Sequence, residues 1–479
     1  MTTDDLCWMP ARRLAAGIAA RTFSAVEVLD AHLARIAAVN PGVNAIVTLD
    51  RDGAQAGARA ADAAVARGDQ LGPLHGLPIA VKDLEETAGI RTTYGSPIFA
   101  DHVPERDGLL VERLRRAGAI VIGKTNTPEF GAGSQTFNEV FGPTRNPYHP
   151  ALTPGGSSGG AAVAVATGML PVADGSDLAA SVRNPAAFCN VVGLRPSPGR
   201  IPSAGVGRDP WEPLSVLGPI ARSVDDAALL LGALAGEDPR DPLSVPAPAD
   251  ALAPITVADP GQVRIAWSAD LGGLPIEPAI AEVLSAARDR LIEAGCDICA
   301  AEPDLRLADE GFDILRAVGF AQFGTPLLDA HPDRLKDTVI WNIRRGHALT
   351  AADVGRAGAL HEQIFKAMRE FLLEFDVLAA PVTQVAPFEV GLDWPRTIDG
   401  HEMEHYVAWL RSCSRITFTG HPAVSVPAGF TRGGLPVGLQ LVGRFRDEWT
   451  LLRAAAMVAD TLGAAGRRPP AAPSQRSTK

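Results

Sequence analysis

Cysteine is scarce: five in 479 residues (Cys7, Cys189, Cys296, Cys299 and Cys413), an odd number at scattered spacing. No disulfide framework follows, and a reducing cytoplasm is the expected compartment. The start of the chain also lacks a long apolar run. Its opening residues, MTTDDLCWMPARRLAAG, carry acids first and read as neither a secretory signal nor a membrane-spanning helix. Lysine and arginine, 44 together, are outnumbered by 55 acids, for a net charge of −11. No basic block interrupts that balance, so neither nucleic acid nor an acidic membrane is an expected partner. No internal repeat is visible. What remains is 46% hydrophobic and 21% charged, a chain able to bury a sizeable core.

Three motifs offer chemistry and fail on context. Gly118 to Thr125 (GAIVIGKT) fits the phosphate-loop pattern, but Ala119-Ile120-Val121-Ile122 favours an extended strand over a loop that curls around phosphates. Cys296-x-x-Cys299 follows a helix instead of opening one, so no helix N-terminus lowers a thiol pKa. No second cysteine pair completes a zinc site. His401-Glu402-Met403-Glu404-His405 is a literal H-E-x-x-H, which on a helix would seat zinc with Glu402 as base. Ala408 and Arg411 stand where a third-ligand motif needs Gly and His, and a polar, exposed helix start is the plainer expectation.

The richest stretch runs from residue 153 to 196. Gly155-Gly156-Ser157-Ser158-Gly159-Gly160 and Asp177-Leu178-Ala179-Ala180-Ser181 are serine-bearing turns on either side of a small apolar segment, Ala161 to Leu170, that suits a tightly packed helix. Glycines around a serine let backbone approach a ligand closely. Backbone N–H groups beside a hydroxyl are what acyl transfer needs to meet an oxyanion. Gly155-x-Ser157-x-Gly159 also fits the nucleophile elbow of α/β-hydrolases, but NPYHPALTP, where the elbow's strand should be, argues against that fold. Lys82 ends the apolar strand Leu77 to Val81; exposed, it would snorkel, and buried, it could serve as a neutral general base.

Elsewhere the elements alternate. Ser24 caps a helix with Glu27 as its capping-box partner, Asn44 to Leu49 is a strand, and Ala54 to Arg67 is helix. Val263 to Trp267, Pro278 to Ala294 and Cys296 to Ala300 read as strand, helix, strand, which implies parallel pairing. Asp238 to Pro254, rich in proline, reads as a surface excursion. Cys413 to Phe430 and Leu435 to Val442 read as neighbouring strands, Glu448 to Leu462 as a last helix, and the remainder as a frayed tail.

Taken in order, GLPIAVKD, GKTNTPEF, GPTRNPYHPALTPGGSSGGAAVAVATG, SVRNPAAFCNVVGLRPSPGRIP, GPIARSVDDAALLL and TFTGHPAVSVPAGF…GLPVGLQLVG resemble the blocks of the amidase signature family. The resemblance implies a Ser–cisSer–Lys amidohydrolase without cofactor or metal. Ser181 is then the nucleophile and Ser157, after a cis peptide bond, the bridging serine. Lys82 is the base. The N–H groups of Leu178, Ala179, Ala180 and Ser181 are the oxyanion hole, supported by Ser158, Asp177 and Arg183. Ala179-Ala180 departs from the family's usual Gly-Gly and would cost about 1 kcal/mol if either position needs positive φ. Gly131, Gly133, Gln135 and Trp341 are candidates to face substrate, with Trp394 and Trp409 as further candidates.

The expected fold is one compact α/β domain with a large mixed, mostly parallel sheet covered by helices on both faces. Within it, residues 1–65 form an N-terminal helical segment and 66–479 the family domain, with a catalytic stretch at 77–230 and a variable, substrate-facing part at 236–410. The partners expected are a small amide, ester or carbamate and water, in a monomer or homodimer. The rival functions are a weakly active or non-catalytic homologue, a zinc peptidase using the HEMEH segment, and a transamidation subunit.

Overall fold

Local signals set most of the elements. Ser24 and Glu27 exchange hydrogen bonds at the head of the helix Ala25–Val43. Asp50 accepts the Gly53 N–H ahead of the helix Arg51–Arg67, which ends on left-handed Gly68. Ser223 caps Val224–Leu234, whose first turn carries Asp225 and Asp226. The computed structural model describes residues 2–204 and 209–470.

The strands, in chain order, are β1 (Ile46–Leu49), β2 (Pro78–Lys82), β3 (Ile120–Thr125), β4 (Val172–Asp177) and β5 (Val192–Arg195). Next come β6 (Val216–Ala221), β7 (Arg264–Trp267), β8 (Asp297–Ala300) and β9 (Val377–Pro381). The last are β10 (Thr397–Ile398), β11 (His401–Glu402), β12 (Ala423–Phe430) and β13 (Pro436–Val442). Eight of them form one sheet in the order β4-β6-β5-β12-β13-β9-β7-β8, and β1-β3-β2 form a smaller one.

The large sheet is mixed, as expected, but its pairs are mostly antiparallel. Among the described residues only β9–β7 and β7–β8 run parallel; the other five neighbouring pairs are antiparallel. The strand–helix–strand rhythm that predicted parallel pairing is real in β7 and β8, and in β2 and β3 of the smaller sheet, but it does not extend to most of the large sheet. Residues 431–435 instead fold β13 back on β12 as a hairpin.

Alternation along the strands gives the sheet two apolar faces. Val377 and Ala379 of β9 enter one core, with Val424, Val426 and Leu439, while Leu378 and Ala380 enter another, with Phe312, Met368 and Phe418. The N-terminal helices join the first core through Leu14, Ile18, Leu29 and Ile36. Together these layers make one α/β domain. Among the described residues no helix is long and apolar enough to cross a membrane.

Three local expectations change. Cys413 to Phe418 belongs to a helix, Arg411–Phe418, so the strand begins only at Ala423. The excursion after Asp238 folds back, and Asp241 is buried, accepting the Ser203 and Leu243 N–H groups. The start of the tail is tied down, with Tyr148 Oη donating to the Arg467 carbonyl and Asn190 to that of Ala464. The rest of the tail, 471–479, lies outside the described residues.

Candidate active site

Lys82 closes β2 and is fully buried. Its Nζ lies 2.7 Å from Ser157 Oγ, 2.8 Å from Ser158 Oγ and 3.0 Å from Ser176 Oγ. The first two hydroxyls come from the glycine-flanked turn, where the Gly156–Ser157 peptide is cis. Ser134 Oγ donates to the Gly156 carbonyl at 2.6 Å and Thr136 Oγ1 to that of Gly155 at 2.9 Å, fixing the turn from below. Behind it the helix Gly159–Ala166 is buried throughout. A Cβ on Gly160 would stand 2.4 Å from the Asn126 nitrogen, so glycine is needed for close packing there.

Ser176 is a partner the sequence reading missed. It sits two residues from Asp174 on β4, so both side chains leave the same strand face. Asp174 takes the other end of Lys82: each carboxylate oxygen lies 3.2 Å from the Lys82 backbone nitrogen. Alternation would have paired these two residues once 172–177 was read as a strand. Burial, with Glu85 nearby, pushes the Asp174 carboxyl up to about 7. A carboxyl raised above its unfolded value contributes stability that is complete below about pH 4 and lost as pH rises through about 7. Asp174→Asn cannot ionise. Its unfolding free energy relative to the parent is therefore expected to rise by on the order of 2 kcal/mol between pH 5 and pH 8. Urea denaturation at the two pH values measures this; a difference unchanged with pH refutes it.

Asp177, Ser181 and Arg183 occupy the second turn. Asp177 and Arg183 are fully buried and pair at 2.9 Å, and Asp177 also accepts the Val182 N–H at 3.0 Å. Arg183 spans the turn to donate to the Ala179 carbonyl at 2.9 Å, Thr417 Oγ1 at 2.8 Å and Gln440 Oε1 at 2.7 Å. Arg195, also missed, donates to the Asp177 carbonyl and lies 3.6 Å from its carboxylate. Among the described residues, none accepts a hydrogen bond from the N–H of Leu178, Ala179, Ala180 or Ser181. Buried N–H groups are rarely left unmet, so four in a row without a protein acceptor set this turn apart. Neither Ala179 nor Ala180 has positive φ, so alanine in place of Gly-Gly carries no such strain here.

The two turns meet at a cavity of about 520 Å³ lined by Ser157, Ser176, Leu178, Ser181 and Gly131. The Ser158 N–H donates to the Ser181 carbonyl at 3.0 Å, which joins the turns directly. One wall is aromatic and aliphatic, with Tyr94, Phe99, Phe130, Phe320, Phe323 and Leu327. Of the residues expected to face substrate, only Gly131 lines this space. Gly133 does not; a Cβ there would meet Lys336 Nζ. Gln135 is buried beneath the serine turn, its backbone under Gly156. Trp341 packs edge-on against Tyr406 with Arg345 over its face. Trp394 and Trp409 pack in the second apolar core instead.

The competing motifs resolve without a second site. His401 and Glu402 form β11 of a two-strand hairpin, so neither the zinc-type helix nor the expected helix start exists. His405 Nε2 instead lies 3.1 Å from Asp313. Lys124 of the phosphate-loop pattern is buried in β3, its Nζ 2.9 Å from Thr87 Oγ1. Cys296 Sγ lies 3.7 Å from Met457 Sδ.

The Amidase family profile matches residues 27–452. An acylamidase of Rhodococcus erythropolis is 38% identical over 95% of this chain and 96% of its own length. A glutamyl-tRNA(Gln) amidotransferase subunit from Anaeromyxobacter sp. (strain K) is 37% identical over 96% and 97%. A bacterial aryl acylamidase of the amidase signature family superposes with a TM-score of 0.88 at 27% identity, covering 97% of this chain and 99% of that one. With paired serine turns, a buried lysine between them and a family match over most of its length, the chain belongs to the amidase signature family.

Proposed function

We propose that this chain hydrolyses small linear amides through an acyl-enzyme on Ser181. Ser157 takes the Ser181 proton and passes its own to Lys82, acting as a neutral amine; burial supports that state because it disfavours an ammonium. The Ser181 oxygen attacks the amide carbonyl, and the negative charge develops within reach of the unmet N–H row at 178–181. The relayed proton goes to the leaving amine. Water then attacks the acyl-enzyme by the same route and releases the acid. Esters and carbamates present a carbonyl of the same geometry and fall within this chemistry.

The observation that carries this reading is the 2.7 Å contact between Lys82 Nζ and Ser157 Oγ at the wall of a cavity that Ser181 also lines. The apolar side of that cavity supports a substrate with a bulky acyl or aryl group. Likeness to part of an amidotransferase supports transamidation as a second reading.

The test is labelling by a fluorophosphonate together with turnover of aryl amides, aliphatic amides and carbamates by the isolated chain. Expected are a single adduct mapped to Ser181, loss of both label and turnover in Ser181→Ala, and full activity after treatment with a chelator. Labelling at another residue, or turnover that survives Ser181→Ala, overturns the proposal. Turnover only in a complex with an ammonia acceptor favours the second reading.

A further inference from the structure

Arg316 lies on the helix Ala308–Ala330 and faces the cavity that holds Ser157 and Ser181. It is only 6% exposed. Its Nη2 donates to Tyr406 Oη at 2.5 Å, a phenol that Asn342 Nδ2 also contacts. Its guanidinium carbon lies 4.5 Å from the Phe320 ring centre and 5.6 Å from that of Tyr406. Its Nε meets no acceptor, and among the described residues no carboxylate comes within 4.0 Å of it. Asp313, one turn away on the same helix, lies 3.1 Å from His405 Nε2 and 3.6 Å from Arg345 Nη1.

A guanidinium out of water with the Tyr406 phenol and the Phe320 ring for company is a cation short of an anion. The acids lining the same cavity have donors of their own. Glu86 accepts the Tyr94 hydroxyl, Asp209 the Trp211 N–H, and Glu212 the Leu214 and Ser215 N–H groups. Asp241 accepts those of Ser203 and Leu243. Among the described lining residues, the cation without a carboxylate partner is Arg316. From it an aromatic run leads along the cavity wall, Phe320 to Phe323 at 5.1 Å between ring centres and Phe323 to Phe130 at 5.8 Å, and Phe130 adjoins Gly131 beside Ser157.

We infer that Arg316 is a specificity-determining residue that binds a carboxylate at the far end of the substrate, beyond an apolar or aromatic body lying on Phe320, Phe323 and Phe130. The inference rests on the amide-hydrolase reading of this cavity and names the class of amide it takes: one carrying a second, anionic terminus. A planar fork suits a carboxylate in two-point contact, and pairing it would relieve the buried charge.

The test compares kcat/KM across matched p-nitroanilides of four to eight carbons whose acyl chains end in methyl, carboxylate or ammonium. A second series carries the same three termini on the amine side. In at least one series the carboxylate is expected to exceed its methyl counterpart by about ten- to a hundredfold, mostly through KM, with ammonium lowest. In Arg316→Gln that ratio is expected to fall towards one, and Arg316→Lys should recover part of it. Ratios taken within each variant cancel any loss of folded protein. Methyl and carboxylate substrates turned over alike, a preference for ammonium, or a ratio that persists in Arg316→Gln overturns the inference. Hydrolysis of the methyl series without charge preference refutes Arg316's role and leaves the hydrolase reading standing. No turnover of any member, with no labelling of Ser181, refutes both.

Discussion

Lys82→Ala is expected to lower kcat by about three to four orders of magnitude, and Ser157→Ala by a similar amount. The double substitution should cost little more than either single one. That non-additivity is the informative part. If the proton leaves Ser181 through Ser157 to reach Lys82, removing either partner breaks the same path, and the second loss finds nothing left to break. A lysine that only filled space would behave differently: its loss and that of Ser157 would multiply. Lys82→Arg should not rescue, because a guanidinium stays protonated and cannot accept the proton. Stopped assays of p-nitroanilide hydrolysis on the parent and these four variants decide it. Single losses below tenfold, or a double loss equal to the product of the singles, remove Lys82 and Ser157 from the reaction path.

Much of this site was legible in the chain because its chemistry is carried by short, unusual strings. Glycines around Ser157 and Ser158, and an aspartate four residues before Ser181, are rare enough to stand out. Lys82 could be placed at the end of a strand, but whether it was buried could not be settled there. That depended on β4, ninety residues away, which supplies Asp174 to its backbone and Ser176 to its amine. Arg195, Thr417 and Gln440 were invisible for the same reason: each meets the Ser181 turn through tertiary packing, and none stands beside it in sequence. The sheet shows the complementary failure. Strand positions followed from apolar runs and glycine turns, whereas strand direction depends on how distant segments pair. One clear β-α-β unit was extended to a sheet whose pairs are mostly antiparallel. Substrate contacts were hardest. Trp341 drew attention by residue type, yet the wall it was expected to form is built by one face of the helix Ala308–Ala330.

Asp177→Asn is expected to be the most destabilising single change near the site, by about 3–5 kcal/mol. The carboxylate stands between two guanidiniums, at 2.9 Å from Arg183 and 3.6 Å from Arg195, and none of the three is exposed. Burial pushes its carboxyl up, but the two cations and the Arg183 hydrogen bonds outweigh that and hold it at about 2. A carboxyl depressed in the fold contributes stability that is complete above about pH 4 and lost as pH falls towards 2, so the pair is intact at neutral pH. Taking the charge away leaves two cations without their shared anion, a loss comparable to a large part of a domain's net stability. The effect should extend to catalysis, because Asp177 holds the Val182 N–H and Arg183, and Arg183 holds the Ala179 carbonyl. Freed from these, the turn at 178–181 loses the hydrogen bonds that hold its shape. Asp177→Glu separates the two consequences. It restores the charge, so part of the stability should return, but its extra methylene displaces the turn, so kcat should stay more than tenfold low. Urea midpoints and kcat for both variants, at pH 7, are the measurements. Asp177→Asn within about 1 kcal/mol of the parent would mean that Arg183 and Arg195 find other counter-charges; full activity in Asp177→Glu would mean that the turn keeps its shape without them.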